Sequence, residues 1–283
     1  MKWEGRRQSD NVEDRRGVST AGKVAIGGGA VGVIFLLLQL FLGGDSADIL
    51  NSLQNQMQQP SVQSGPVELT PEEKVLGDFA STVLADTEDV WHKLFQERGM
   101  QYREPKMVLF RDVVRSACGG AQGSSGPFYC PGDETVYMDM SFFNTLRQRF
   151  GAKGGDFAIA YVIAHEVGHH VQNLLGILNE TNNIRSQVDQ VQGNKVQVST
   201  ELQADFLAGV WAHHIHKYLE EGDAEEAINA AAAVGDDHIQ KTTQGYTVPE
   251  SYTHGTSEER VFWFTKGFRS GNISDGDTFK QNR

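Results

Sequence analysis

The sequence is short of positive charge. Its 25 Lys and Arg stand against 37 Asp and Glu, for a formal net charge of −12. A chain of that sign repels phosphate backbones, which removes nucleic acid from the partners to expect. The basic residues are also unevenly spread: after Lys23 none occurs until Lys74. Cysteine is scarcer still, with only Cys118 and Cys130 in 283 residues, so one bridge is the most the chain can form with itself. Between Asp45 and Glu68 apolar residues thin out in favour of Gln, Asn and Ser, and Pro60 and Pro66 interrupt any long helix. Such a stretch cannot build a core and reads as a flexible tether.

What the same region does hold is one long apolar run. Val24 to Gly44 carries no charge and is interrupted only by Gln39, long enough to cross a hydrocarbon layer of about 30 Å as a single helix. Lys2, Arg6, Arg7, Arg15, Arg16 and Lys23 precede it, so by the positive-inside tendency the N-terminus is expected in the cytoplasm and the rest outside. The run is too long for a signal peptide, and Gly43-Gly44-Asp45-Ser46-Ala47 is a poor cleavage site, so an uncleaved anchor in a lipid bilayer is expected. Gly28 and Gly32 have the spacing that lets such helices pair, with nothing else in the sequence to support an oligomer. The expected organisation is a cytoplasmic segment 1–23, an anchor 24–44, a linker 45–68 and one folded domain 69–283.

That domain carries His165-Glu166-Val167-Gly168-His169 behind the apolar run Phe157 to Ala164. On a helix, positions i and i+4 share a face, so both imidazoles can meet one Zn²⁺ at about 2.0–2.1 Å while Glu166 points at the metal's open side. This is the H-E-x-x-H pattern of zinc hydrolases, in which two histidines bind and the glutamate acts as general base. A hydrolytic zinc needs a third protein donor. The extended metzincin motif would supply it from the same segment, but Gln172 and Leu175 stand where its glycine and histidine belong, and that class is excluded.

The third donor is expected on the next helix, in Glu201-Leu202-Gln203-Ala204-Asp205. Glu201 and Asp205 share a helix face, which suits one carboxylate to bind zinc and the other to accept the remaining ring N–H of a ligating histidine. Small residues at Ala204, Ala208 and Gly209 allow this helix to approach the first one closely.

An H-E-x-x-H helix followed by E-x-x-A-D resembles the gluzincins, especially the membrane-associated heat-shock and CAAX-processing endopeptidases. Thr253-His254-Gly255-Thr256-Ser257-Glu258-Glu259-Arg260 is similar to their T-H-P-x-x-x-E-R stretch, with Gly255 in place of proline. The likeness implies that His254 donates a hydrogen bond to the oxyanion and that Arg260 braces the site by pairing with an acid. Nearly end to end, from the Trp3-to-Gly17 opening W-x-G-R-R-x-S-x-N-V-E-D-R-R-G through Gly126-Pro127-Phe128-Tyr129-Cys130-Pro131 to Asp275-Gly276-Asp277-Thr278-Phe279, the chain resembles the bacterial membrane-anchored neutral zinc metallopeptidase family. That resemblance implies the bacterial inner membrane, with the catalytic domain in the periplasm or outside the cell.

Other signals fill in the domain. Thr70-Pro71-Glu72-Glu73 is a helix start, and Val75, Phe79, Val83, Val90, Trp91 and Leu94 follow at helical spacing as core. Met107–Phe110 and Thr135–Met140 read as strands, the second expected to line the groove where an extended peptide pairs with a sheet edge. Cys118 and Cys130 flank the Gly-rich loop between them and are expected to form a disulfide in an oxidising compartment. His92, His170, His213, His214, His216 and His238 fall off the ligand face or lack a partner pattern, and surface or internally satisfied positions are expected for them. The Gln- and Asn-rich connection from Asn179 to Thr200 reads as a surface loop or weakly packed helix over the cleft, and Asp223 to Val234 as a packed helix.

The expected fold is therefore α+β: a zincin-like metallopeptidase domain, predominantly helical with a small sheet, preceded by one N-terminal transmembrane helix. The expected function is zinc-dependent cleavage of a protein or peptide substrate. The alternative is a membrane-tethered scaffold or interaction protein that keeps zinc for folding.

Overall fold

The computed structural model describes residues 1–17, 68–111, 113–122, 126–142, 148 and 154–280. The anchor expected at 24–44 and most of the linker at 45–68 lie outside the described residues. Among the described residues no helix is long and apolar enough to cross a membrane.

Strands β1 (Val12–Asp14), β2 (Lys106–Phe110), β5 (Phe128–Cys130) and β6 (Thr135–Asp139) form one sheet in the order β1-β2-β6-β5, and β3 (Val113–Ser116) pairs with β4 (Gly119–Gln122) as a hairpin. The first three neighbours run parallel and β5 runs antiparallel to β6. Helix α1 (Pro71–Gln96) packs Phe79, Val83, Leu84, Trp91 and Leu94 into the core, while Val75, near its start, stays exposed at 52%. Next come α2 (Asp156–Leu174), α3 (Ile177–Arg185), α4 (Gln190–His214), α5 (Asp223–Ala233), α6 (Asp236–Gln244) and α7 (Ser257–Ser270). Helix is more abundant than strand, and the α+β class holds.

Two close helix crossings fix the centre. A Cβ on Gly168 of α2 would lie 3.0 Å from the Ala204 carbonyl of α4, and one on Gly267 of α7 would lie 2.0 Å from the Phe206 carbonyl of α4. Gly209, expected to face α2, instead meets α7: its Cβ would fall 2.1 Å from the Phe264 carbonyl. Helix α4 is thus clamped on two sides by missing side chains.

Several expectations need correction. Residues 1–14 are not a separate segment; they belong to one compact unit with 71–283. The reason is electrostatic as well as apolar. Arg6 pairs with Asp86, Arg7 bonds Glu88 and Asp89 at 2.8 Å each, and Trp3 sets its ring edge against Phe79 at 5.5 Å. These arginines are held by acids of α1 rather than left as free flank charges. Of the two forms expected for residues 179–200, a surface loop or a weakly packed helix, the chain takes the helical one in α3 and the early turns of α4.

Cys118 and Cys130 are joined, tying the hairpin turn to the end of β5. In protein from its native compartment a bulky maleimide should modify neither residue until a reductant is added. Replacing the pair by serine should cost about 3 kcal/mol in a denaturant titration, the loop-closure entropy of a short ring.

Candidate metal centre

The apolar residues Phe157 to Ala164 bury the first half of α2 and carry the following turn into the interior. His165 and His169 then stand one above the other with ring centroids 4.8 Å apart. Glu201 reaches across from α4: its Oε2 lies 3.2 Å from His165 Nε2 and 3.4 Å from His169 Nε2. The three donor atoms all fall within 4.8 Å of one another, and two imidazole nitrogens with a carboxylate oxygen are the donor set a catalytic zinc takes.

Each donor is held by a neighbour. His165 Nδ1–H donates to Asp205 Oδ1 at 2.8 Å, and His169 Nδ1–H donates to Gln172 Oε1 at 2.8 Å, so both rings turn Nε2 toward Glu201. Gln197 donates to the other oxygen of Glu201 at 2.7 Å. Such partners fix the tautomer and orientation of a ligand and raise its basicity. Gln172 also donates to Thr200 O and Gln203 Oε1, joining α2 to α4.

Behind the donors lies a buried charge pair. Arg260 donates to both Asp205 oxygens, at 2.8 and 3.0 Å, and to Tyr161 Oη at 3.2 Å, while Tyr161 donates to Asp205 at 2.5 Å. Burial alone would raise the Asp205 pKa, but the charges of Arg260 and His165 outweigh it and bring it down to about 2. Burial likewise lowers His165, and the Asp205 charge with its hydrogen bonds overrides this to push it up to about 10. Arg260 thus favours the carboxylate form of Asp205 against the ring it orients.

The donors open into a cleft of about 380 Å³ lined also by Glu166, His254, Val162, Tyr129 and Phe128. Glu166 is buried at 8%, and among the described residues no hydrogen-bond partner holds its carboxylate. His254 sits on a loop gathered by one carboxylate: Asp236 Oδ2 accepts from the backbone N–H of Thr253 at 2.7 Å, His254 at 2.6 Å and Gly255 at 3.1 Å. Gly255 has φ +88°, which proline cannot adopt, and proline would lack the N–H that Asp236 receives. The departure from the T-H-P pattern is thus built into this turn. Asp236→Ala should leave zinc in place, lower stability by about 1–3 kcal/mol from the buried Gly255 amide left unpaired, and reduce turnover as His254 loosens; calorimetry, metal analysis and a peptidase assay would check the three.

The sequence profile of the family described as "Putative neutral zinc metallopeptidase" matches residues 1–279. The chain belongs to this family. "Uncharacterized protein YpfJ" of Escherichia coli is 45% identical over 290 residues, 99% of each chain. "Uncharacterized protein Rv2575" of Mycobacterium tuberculosis is 47% identical over 190 residues, 63% of each. No solved structure matches. Membership in the neutral zinc metallopeptidase family implies zinc as the metal, and His165, His169 and Glu201 form a group able to hold it.

The cleft wall of this family member differs from expectation at one strand. Thr135–Asp139 is an inner strand, paired on both sides by β2 and β5, so it cannot accept a peptide. The edge strand on the cleft side is β5, whose Phe128 and Tyr129 line the cleft, while β1 forms the opposite edge. Tyr129 is held by His170, which donates from Nε2 to Arg103 O at 2.6 Å and accepts the phenol proton at Nδ1 across 2.9 Å. His213, His214 and His216 each bond a backbone carbonyl. Sequence reasoning missed Gln172, Gln197, Tyr161 and Asp236. The first two carry a faint signal, since Gln172 lies three residues after His169 and Gln197 four before Glu201.

Proposed function

We propose that this member of the neutral zinc metallopeptidase family is an endopeptidase acting on proteins or peptides of the cell envelope. The observation that carries the reading is Glu166, a carboxylate in the same cleft as the three donors and not one of them. A structural zinc site closes with four protein ligands and has no use for a base beside it.

A bound zinc ion would supply a Lewis acid that polarises a peptide carbonyl and makes water acidic enough to attack near neutral pH. His165, His169 and Glu201 hold it, oriented by Asp205, Gln172 and Gln197. Arg260 keeps Asp205 charged. An extended substrate pairs with the outer edge of β5, which no strand covers among the described residues, and places its scissile bond over the donors. Glu166 takes a proton from the attacking water and returns it to the leaving amine. His254 donates to the carbonyl oxygen as negative charge gathers there. The Cys118–Cys130 bridge supports an oxidising compartment, and the apolar run 24–44 supports attachment to a lipid bilayer.

The test is identification of new protein termini in cells carrying either the wild-type chain or Glu166→Gln. Termini that depend on Glu166 support proteolysis. Identical termini and an identical biological effect from both would favour the scaffold.

A further inference from the structure

The apolar run Val24 to Gly44 is the one stretch between β1 and α1 long enough and apolar enough to span a bilayer, because Asp45, Asp48 and a string of Gln and Asn follow it. A single crossing there separates whatever precedes residue 24 from whatever follows residue 44. The folded unit contains both. Residues 1–14 and 71–283 form one compact body, and a body of hydrogen-bonded strands and packed helices cannot be divided by a hydrocarbon layer in which every backbone polar group must find a partner within its own segment.

The joining contacts are numerous and of different kinds. Strand β1 pairs in parallel with β2, Val12 opposite Met107 and Asp14 opposite Leu109. Both β2 residues are core. Lys2 N–H donates to Tyr218 O at 2.8 Å, and the Arg6 guanidinium lies 3.3 Å over the Tyr218 ring. Asp86 and Glu88 on α1 are buried at 4% and 1%, and their partners come from the opening segment: Arg6 on Asp86, and Arg7, Ser9 and Asn11 on Glu88. Removing that segment would leave two buried carboxylates without their partners, which is strongly destabilising. The same pairing removes Arg6 and Arg7 from the flank charges that argue for a cytoplasmic N-terminus. They are consumed by acids of the zinc-site unit.

We infer that residues 1–14 and the zinc site lie on the same side of any membrane the chain meets, and that the run 24–44 does not carry the chain across it. Both ends of the connection between β1 and α1, Asp14 and Pro71, belong to that one body.

The experiment uses the full chain in cells, with Gln8→Cys and Ser274→Cys made singly at two exposed positions of the unit. Spheroplasts are treated with a membrane-impermeant maleimide before or after lysis, and labelling is read by peptide mapping so that the native cysteines are scored apart. Both positions should behave alike: both labelled before lysis, or both silent until lysis, with equal labelling afterwards as the control for reactivity. Labelling of position 274 with position 8 protected until lysis, or the reverse, would overturn the inference.

Discussion

Glu166→Gln should keep about one zinc per chain and an unchanged melting curve while losing about 10²–10⁴-fold in turnover, the usual share of a general base. The geometry allows this separation, because Glu166 lies in the cleft without belonging to the converging donors. His165→Ala, His169→Ala and Glu201→Ala should each lose most of the metal instead, since two donors make an incomplete site. His254→Phe should retain zinc and slow the reaction by about 10²–10³, the loss for one oxyanion donor. The ordering discriminates. If His254→Phe stripped the metal, or Glu201→Ala kept it in full, the ligand set would be wrong. For Asp205 the neighbouring charge decides the choice of variant: Asp205→Ala strands Arg260 in the interior at about 3–5 kcal/mol, whereas Asp205→Asn tests orientation of His165 with less damage.

The second large effect lies away from the chemistry. Helix propensity alone says that Gly267→Ala should stabilise α7 by about 0.5–1 kcal/mol. The packing says the opposite, because the new methyl would lie 2.0 Å from the Phe206 carbonyl and 2.9 Å from the Val210 nitrogen. Backbone cannot step aside as a side chain can, so the expected loss is about 3 kcal/mol or more. A denaturant titration decides between the signs. The variant should also hold zinc more weakly, since α4 carries Glu201 and Asp205 while α7 carries Arg260, and displacing one helix from the other opens the Asp205–Arg260 pair. A fully stable Gly267→Ala with normal zinc affinity would contradict the crossing.

Local spacing made the donors legible. His165, Glu166 and His169 share one helical turn, Glu201 and Asp205 another, and the apolar run before the first announces its burial. The parts that were misread depend on partners distant in sequence. Three residues, Phe128 to Cys130, give no periodic signal, so the true sheet edge was invisible beside the longer Thr135–Asp139. Arg6 and Arg7 looked like flank charges because nothing in the chain's order links them to Asp86 and Glu88, some 80 positions on. Asp236 begins its helix like any acid in a first turn, and its grip on three amides beyond residue 252 arises only when that loop folds back. Gly255 was read against a proline it could not have been.

The bridge between Cys118 and Cys130 makes one mechanical piece of two parts that the sheet keeps separate. Cys118 lies at the turn of the β3–β4 hairpin and Cys130 at the last residue of β5, so a load applied to the hairpin is delivered to the wall beside Phe128 and Tyr129. The hairpin is thereby a handle on the mouth of the cleft, fastened by the bridge as well as by Val114 packed with Phe110 and Tyr137 and by the Ala117 N–H donated to Asp133.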